Sequence, residues 1–312
     1  MRSFVRLGAN VPAQGCRRED AAMPVKAVDG GTITREFPEF ARAVELTDGV
    51  AAFNEDTALN LDKREAHTIE IEDQLAALAL SHRLEDGTLE SELAVHPQLR
   101  GRGLGSQLLQ TLRNYARESG NGALQLWAHG NLPGAQQLAG AQGFANVRTL
   151  YQLEKPLNED IAEPTLENGE RIRPFERARD GEDWIALNAQ VFATHPEQGA
   201  LQLADLDARI AQDWFDTENF LILESERGEM LGYNWLKVTP EEGEIYVIGV
   251  AAKAAGHGYG TALMQAGERR LRERGVATVA LYVDGENERA VALYRRLGYS
   301  ERTVDVQYRA NR

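Results

Sequence analysis

A single cysteine, Cys16, is the only thiol in this 312-residue chain. A disulfide framework and a cysteine zinc cluster are therefore both excluded. Cys16 also precedes the first periodic segment, far from every motif described below, which argues against a covalent cysteine intermediate; no metal is expected. No apolar run approaches membrane-spanning length, and the opening MRSFVRLGANVPAQG has positive charge without the apolar core of a signal peptide. The expectation is a cytoplasmic protein with no membrane partner. Basic residues are scarce too: 34 Lys+Arg stand against 48 Asp+Glu, a net charge of −14. Residues 1–156 carry 16 against 20 and residues 157–312 carry 18 against 28. Such a chain is poorly suited to nucleic acid; its acidity serves solubility or a cationic substrate. The 43% hydrophobic and 26% charged content is that of a soluble globular protein, with length enough for two cores.

What the chain does have is a motif that occurs twice. Residues 93–105 read LAVHPQLRGRGLG and residues 248–260 read IGVAAKAAGHGYG, an offset of 155 (248 − 93). The offset continues without a gap through Leu108/Leu263, Leu126/Leu281, Ala135/Ala290, Leu138/Leu293, Gly143/Gly298 and Phe144/Tyr299. A match of that length is a duplicated domain, too long a period for a solenoid.

Periodicity predicts a loose lead-in over 1–35 and helical structure over 39–62, broken at Asp48-Gly49. Strands follow at 67–72, 75–84 and 87–95, then a helix at 103–118, a strand at 123–128, a helix at 132–142 and a strand at 146–153. The acidic segment EKPLNEDIAEPTLENGE, 154–170, reads as a linker between a first domain, 36–153, and a second, 171–312. The second half is predicted to hold helices at 180–192 and 203–215 and strands at 219–225, 230–239 and 244–250. A helix at 258–274, a strand at 277–283, a helix at 287–297 and a strand at 301–309 complete it. This is a mixed α/β (α+β) plan, two tandem domains each with a mostly antiparallel mixed sheet and flanking helices.

Each repeated loop follows an apolar strand and opens an amphipathic helix, which puts bare backbone N–H groups and a helix N-terminus where a phosphate can sit. RGRGLG fits Gln/Arg-x-x-Gly-x-Gly/Ala: alternate glycines admit a pyrophosphate, and Arg100 and Arg102 add charge. The pattern resembles the acyl-CoA loop of the GCN5-related N-acetyltransferase (GNAT) family. A dinucleotide-binding site would place the loop early in a parallel sheet; here a three-strand meander precedes it. The second copy has Ala255 where Gln or Arg is usual, and His257, a solvated loop residue or a weak phosphate contact, in place of the second basic residue. Gly256, Gly258 and Gly260 remain.

In that family an Asn near the start of the next helix touches pantetheine and a Tyr further along faces the thiol. LYVDGENERAVALYRRLGY, 281–299, places Asn287 and Tyr294 there. Tyr294 either protonates the departing thiolate or packs with Ala290, Val291 and Leu297. Glu244, in GEIYVIGV at 243–250, can accept the amine proton; the alternative is a solvated strand end. At the 155 offset Asn287, Tyr294, Tyr282 and Glu244 become Leu132, Ala139, Trp127 and Leu89, so the first half is expected to bind acetyl-CoA without turning it over.

Beyond the loop, DGVAAFNED (48–56), FATHPEQG (192–199), Lys237 with GEIYVIGV, LYVDGENERAVALYRRLGY and TVDVQY (303–308) are similar to one branch of tandem GNAT enzymes, over about residues 37–309. The resemblance implies acetyl transfer from acetyl-CoA to the cysteinyl amine of cysteinyl-glucosaminyl-inositol. It places substrate contacts on Glu55, Glu197, Lys237, Glu244 and Tyr282, with Glu55 reaching in from the first domain. It places acetyl-CoA contacts on Ile248, Gly249, Val250, Ala255, Gly256, His257, Gly258, Tyr259, Gly260, Thr261, Asn287, Glu288, Arg289, Ala290, Val291 and Ala292 of the second half. In the first half they fall on Leu93, Ala94, Val95, Arg100, Gly101, Arg102, Gly103, Leu104 and Gly105. A monomer is expected. The competing readings are a tandem acetyltransferase of another amine and a non-catalytic acetyl-CoA sensor; Tyr294 and Glu244 weigh against the sensor.

Overall fold

The computed structural model describes residues 23–310 except 120–121, 158–160, 167–168, 194–197 and 241. The first half runs β1 (Val25–Asp29), α1 (Phe37–Asp48), α2 (Glu55–Leu59), β2 (Glu65–Ile71), β3 (Gln74–Arg83), β4 (Leu89–Val95), α3 (Leu104–Ser119), β5 (Leu124–Ala128), α4 (Pro133–Ala141) and β6 (Phe144–Pro156). The second runs β7 (Arg171–Pro174), α5 (Arg177–Val191), α6 (Leu203–Ile210), β8 (Phe220–Glu224), β9 (Met230–Val238), β10 (Gly243–Val250), α7 (Tyr259–Glu273), β11 (Thr278–Asp284), α8 (Glu288–Arg296) and β12 (Ser300–Ala310). The 155 offset carries β2 onto β8, α3 onto α7 and α4 onto α8 at their first residues. The break expected at Asp48-Gly49 is a helix stop, with Gly49 in the left-handed region at φ 72°.

Three features differ from the sequence reading. The segment expected to be loose already contains β1, paired antiparallel with β2. The segment read as linker begins inside β6, which extends to Pro156, and it ends against β7, an edge strand on β8. Third, the repeats are not self-contained. The twelve strands among the described residues form one sheet in the order β1-β2-β3-β4-β5-β12-β6-β11-β10-β9-β8-β7. The last strand of each half has crossed over: β12 pairs with β5, β6 pairs with β11, and the two lie antiparallel to each other. The order is unchanged when the halves are interchanged, so a pseudo-two-fold axis passes between β6 and β12.

Two layers of helix cover the sheet unequally. On one face α3 buries Leu108, Leu109 and Leu112 against the first half, and α7 and α8 bury Met264, Leu271, Val291 and Tyr294 with Leu153, Ile245, Leu281 and Val283. On the other, α1 brings Phe37, Phe40 and Val44 onto Leu78, Leu80 and Ala94. At the far end of that face Trp184 and Leu206, from α5 and α6, close over Phe220 and Trp235. Between these two groups, among the described residues, no helix covers the second face along the exchanged strands, and it is open there. The register lines the opening with Trp127, Gln307 and Arg148, then Asp305 and Asp284, then Thr303, Gln152 and Tyr282.

Candidate active site

Each half holds a cleft where two parallel strands part. β10 and β11 are paired only over Gly243–Ile245 with Val279–Leu281, so Ile248, Gly249 and Val250 run on without a β11 partner. β4 and β5 are paired over Leu89–Glu92, leaving Leu93, Ala94 and Val95 in the same position. The glycine loop follows at once. Gly256 and Gly258 sit at φ 89° and 79°, Gly101 and Gly103 at 76° and 80°, and a Cβ built on any of the four meets nothing within 4 Å. A loop of left-handed glycines facing open space, followed by helix α7 whose Gly258 N-cap offers no side-chain acceptor, leaves N–H donors for a pyrophosphate. The acyl-CoA assignment fits this donor set. At the cleft mouth Leu293 of α8 packs 3.4 Å from the built Cβ of Gly260, and Leu138 of α4 packs 3.2 Å from that of Gly105.

The side chains of the loops are occupied differently from expectation. Arg100 is held by the protein itself: Nη1 and Nη2 donate to Asp48 Oδ1 and Oδ2 at 2.7 and 2.8 Å, and Nε to the Val95 carbonyl at 3.1 Å. That fork ties the loop to the end of α1, leaving its backbone, Arg102 and the following glycines for anion contact. His257 stacks on the Tyr259 ring at 5.5 Å, and the Tyr259 hydroxyl donates to Glu170 at 2.5 Å. Asn287 caps α8, its Oδ1 accepting from Ala290 N at 3.2 Å.

Glu244 and Lys237 are cross-strand partners on β10 and β9. They lie on the open face, because the adjacent Ile245 and Leu236 point into the core on the other side. Burial pushes the Glu244 carboxyl up to about 7, with Lys237 opposing and Glu242 adding to the rise. Glu244 makes no hydrogen bond or ion pair with a described residue. Lys237 Nζ lies 5.6 Å from the centre of the Trp214 ring. Tyr282 follows two residues after Ala280, the β11 partner of Glu244. Its ring is 51% exposed and its hydroxyl accepts from Gln152 Nε2 at 3.0 Å. Gln152 belongs to β6, so the first half enters the site through the exchanged strand. Tyr294 is 6% exposed within the α8 core beside Tyr299, in the cluster that Ile248 joins from the cofactor strand. Burial pushes its hydroxyl up to about 12, which keeps it protonated at neutral pH.

Glu55 opens α2, exposed, at the first-half edge of the open face. Glu197 lies outside the described residues. Two features carry no signal in the sequence pattern. One is a β-bulge at Tyr246, where the register with β9 shifts between Ile245 and Val247; the register of β3 with β4 is unbroken. The bulge falls between Glu244 and the cofactor strand of the second half alone. The other is a half-buried histidine, His129, held between Glu92 and Asp305.

A paired sheet with a parting of strands, a left-handed glycine loop and a helix N-terminus, present twice, defines a tandem acyl-CoA-dependent acetyltransferase. Residues 32–144 and 185–299 match the Acetyltransferase (GNAT) family, and the chain belongs to it. The chain is 40% identical over 301 residues to the mycothiol acetyltransferase of Sanguibacter keddieii, covering 91% of this chain and 94% of that one. It is 42% identical over 275 residues to that of Thermomonospora curvata, covering 86% and 91%. Its membership therefore narrows to the mycothiol acetyltransferases, a group of N-acetyltransferases. Among solved structures, a GCN5-related N-acetyltransferase from Sphaerobacter thermophilus superposes with a TM-score of 0.74 at 22% identity, over 92% of this chain and 95% of that one. A tandem GNAT protein from the clavulanic acid biosynthesis pathway gives 0.69 at 16%, over 92% and 98%. Both share the fold.

Proposed function

We propose that the protein moves the acetyl group of acetyl-CoA to the cysteinyl amine of cysteinyl-glucosaminyl-inositol, giving mycothiol and CoA, and that only the second half performs the transfer. The observation that carries this reading is Glu244, a half-buried carboxyl near neutral pKa on the open face, one bulge away from the parted cofactor strand. Bound acetyl-CoA supplies the thioester. Glu244 takes the proton of the substrate ammonium, directly or through water, and so releases a neutral amine. Backbone N–H groups of the parted strand polarise the thioester carbonyl. The amine nitrogen bonds to the thioester carbon, its second proton passes to water as the C–S bond breaks, and Tyr294 protonates the departing thiolate and regains a proton from solvent. Lys237 donates to polyol oxygens, and Glu55, Glu197 and Tyr282 accept from or orient the hydroxyls and the cation. The first half keeps the glycine loop but has Leu89, Leu132 and Ala139 at the positions of the base, the cap and the acid. It holds acetyl-CoA and supplies Glu55 and Gln152 to its partner's site.

The test is a thiol-release assay with acetyl-CoA and a panel of amines. CoA release should depend on cysteinyl-glucosaminyl-inositol, with little turnover on polyamines, aminoglycosides or peptide N-termini. Equal turnover on an unrelated amine would overturn the substrate; no release on any amine would favour the sensor.

A further inference from the structure

Two sequence segments, DGVAAFNED and TVDVQY, take no part in the chemistry above apart from Glu55 and the Asp48 tie to Arg100, yet the fold brings them to one point. Asp305, of the second segment, sits on the exchanged strand β12. Its Oδ2 accepts from His129 Nδ1 at 2.9 Å, and its Oδ1 accepts from Gly130 N at 2.9 Å. The other ring nitrogen, Nε2, donates to Glu92 Oε1 at 2.7 Å. The same Glu92 oxygen accepts from the backbone N–H of Asn54 at 3.2 Å. Asn54, of the first segment, is the N-cap of α2 and the residue before Glu55. Glu92 is 3% exposed, and the side chains of His129 and Asp305 are 12% and 17% exposed. The Trp127 ring lies parallel to the imidazole at 6.3 Å. Burial opposes charge on the imidazole, but hydrogen bonds to Asp305 and Glu92 outweigh it and raise the group to about 9. A doubly donating imidazolium between two carboxylates is a directional fastener, because only the charged ring can serve both acceptors at once.

We infer that His129 is a positioning residue for the acyl-acceptor site: the chain Asp305–His129–Glu92–Asn54 fixes the start of α2, and with it Glu55, against the strand that the second half lends to the first. The inference rests on the reading of Glu55 as a substrate contact. A substrate held by both Glu244 and Glu55 must cross the open face over the exchanged strands, and Asp305 stands in that path. The fastener therefore sets the distance between the two carboxylates that grip the substrate's ends, without touching the reacting atoms.

The experiment is a double-mutant cycle on the full chain, read as Michaelis constants for each substrate. His129→Gln keeps one donor and loses the charge. Asp305→Asn keeps the acceptor for Gly130 and guards against a fold lost through the first variant. Each should raise the Michaelis constant for the amine about tenfold, the scale of one charge-assisted hydrogen bond. The turnover number and the Michaelis constant for acetyl-CoA should stay within about twofold. Combined with Glu55→Gln, the effects should not multiply, because both remove the same grip; combined with Lys237→Ala, they should. Multiplication with Glu55→Gln, or equal losses of turnover and of acetyl-CoA binding, would overturn the positioning role and leave a structural one. A Glu55→Gln enzyme with wild-type amine affinity would overturn the substrate reading of Glu55 and the inference with it, a result distinct from the previous one because it appears in the single variant.

Discussion

Glu244 must be ionised before it can accept a proton, and burial has moved that ionisation to about pH 7. The rate with amine substrate should therefore fall on the acid side with an apparent pKa near 7. Glu244→Gln should remove that limb and cost roughly 100- to 10,000-fold in turnover, with acetyl-CoA affinity kept. If the residue only binds, the Michaelis constant alone will rise. The same carboxyl is a burden on folding. Its folded pKa lies above its unfolded one, so the native state holds the proton more tightly and stability is lost as pH rises from about 4.5 through 7. At pH 8 the Gln variant should outlast wild type in urea by roughly 1 to 3 kcal/mol, and at pH 4 the two should agree. Tyr294→Phe keeps the packing beside Tyr299 and removes only the hydroxyl. A loss of at least about 100-fold in turnover is expected from a positioned acid; wild-type turnover would retire the acid and leave a water as the donor. A family pattern marks the places of Glu244 and Tyr294 in the sequence. No such mark falls on His129, since neither Glu92 nor Asp305 is near it in the chain and nothing local announces a half-buried cation.

Among elements, the duplicated ones declared themselves through the 155 offset, and strands β2 to β5 and β8 to β11 fall within two residues of their expected ends. The edge strands β1 and β7 escaped: VKAVD and RIRP are short and half exposed, and neither has an apolar run to report burial on a sheet edge. The bulge at Tyr246 escaped because an extra residue in one strand is a property of the pairing, which the strand's own sequence does not encode. Loop function can be tested half by half. Gly103 and Gly258 share the same left-handed backbone, at φ 80° and 79°, so a valine is equally strained at either. Gly258→Val should nearly abolish turnover. Gly103→Val should lower the amount of acetyl-CoA held by the purified protein and leave much of the turnover intact. Calorimetric titration of both variants with acetyl-CoA, alongside the rate assay, separates them; the reverse ranking would assign catalysis to the first half.

At the scale of the whole molecule the exchanged strands rule out independence of the two halves, although the repeat in the sequence suggests it. Each half expressed alone would lack its neighbour across β5 or β11 and expose an unpaired central edge. Residues 1–160 and 161–312 made separately should aggregate, or fold only when mixed. The intact chain should unfold in urea as one transition seen alike by tryptophan fluorescence and circular dichroism; two separated transitions would show that the halves stand alone. The exchange also has a consequence for synthesis. On the ribosome β5 emerges early, but its native neighbour β12, which ends at Ala310, is translated only after the rest of the second half. β6 emerges directly after β5 and α4, while its native neighbours β11 and β12 do not yet exist. At about 5–20 residues per second the stretch from Pro156 to Ser300 takes roughly 7–30 s. For that time the nascent chain presents β5 and β6 side by side, free to pair in a register that the finished protein does not use. The waiting chain must either hold that edge open on a chaperone or form the wrong pair and undo it, so the rate of elongation through the second half becomes part of how the first half reaches its native state.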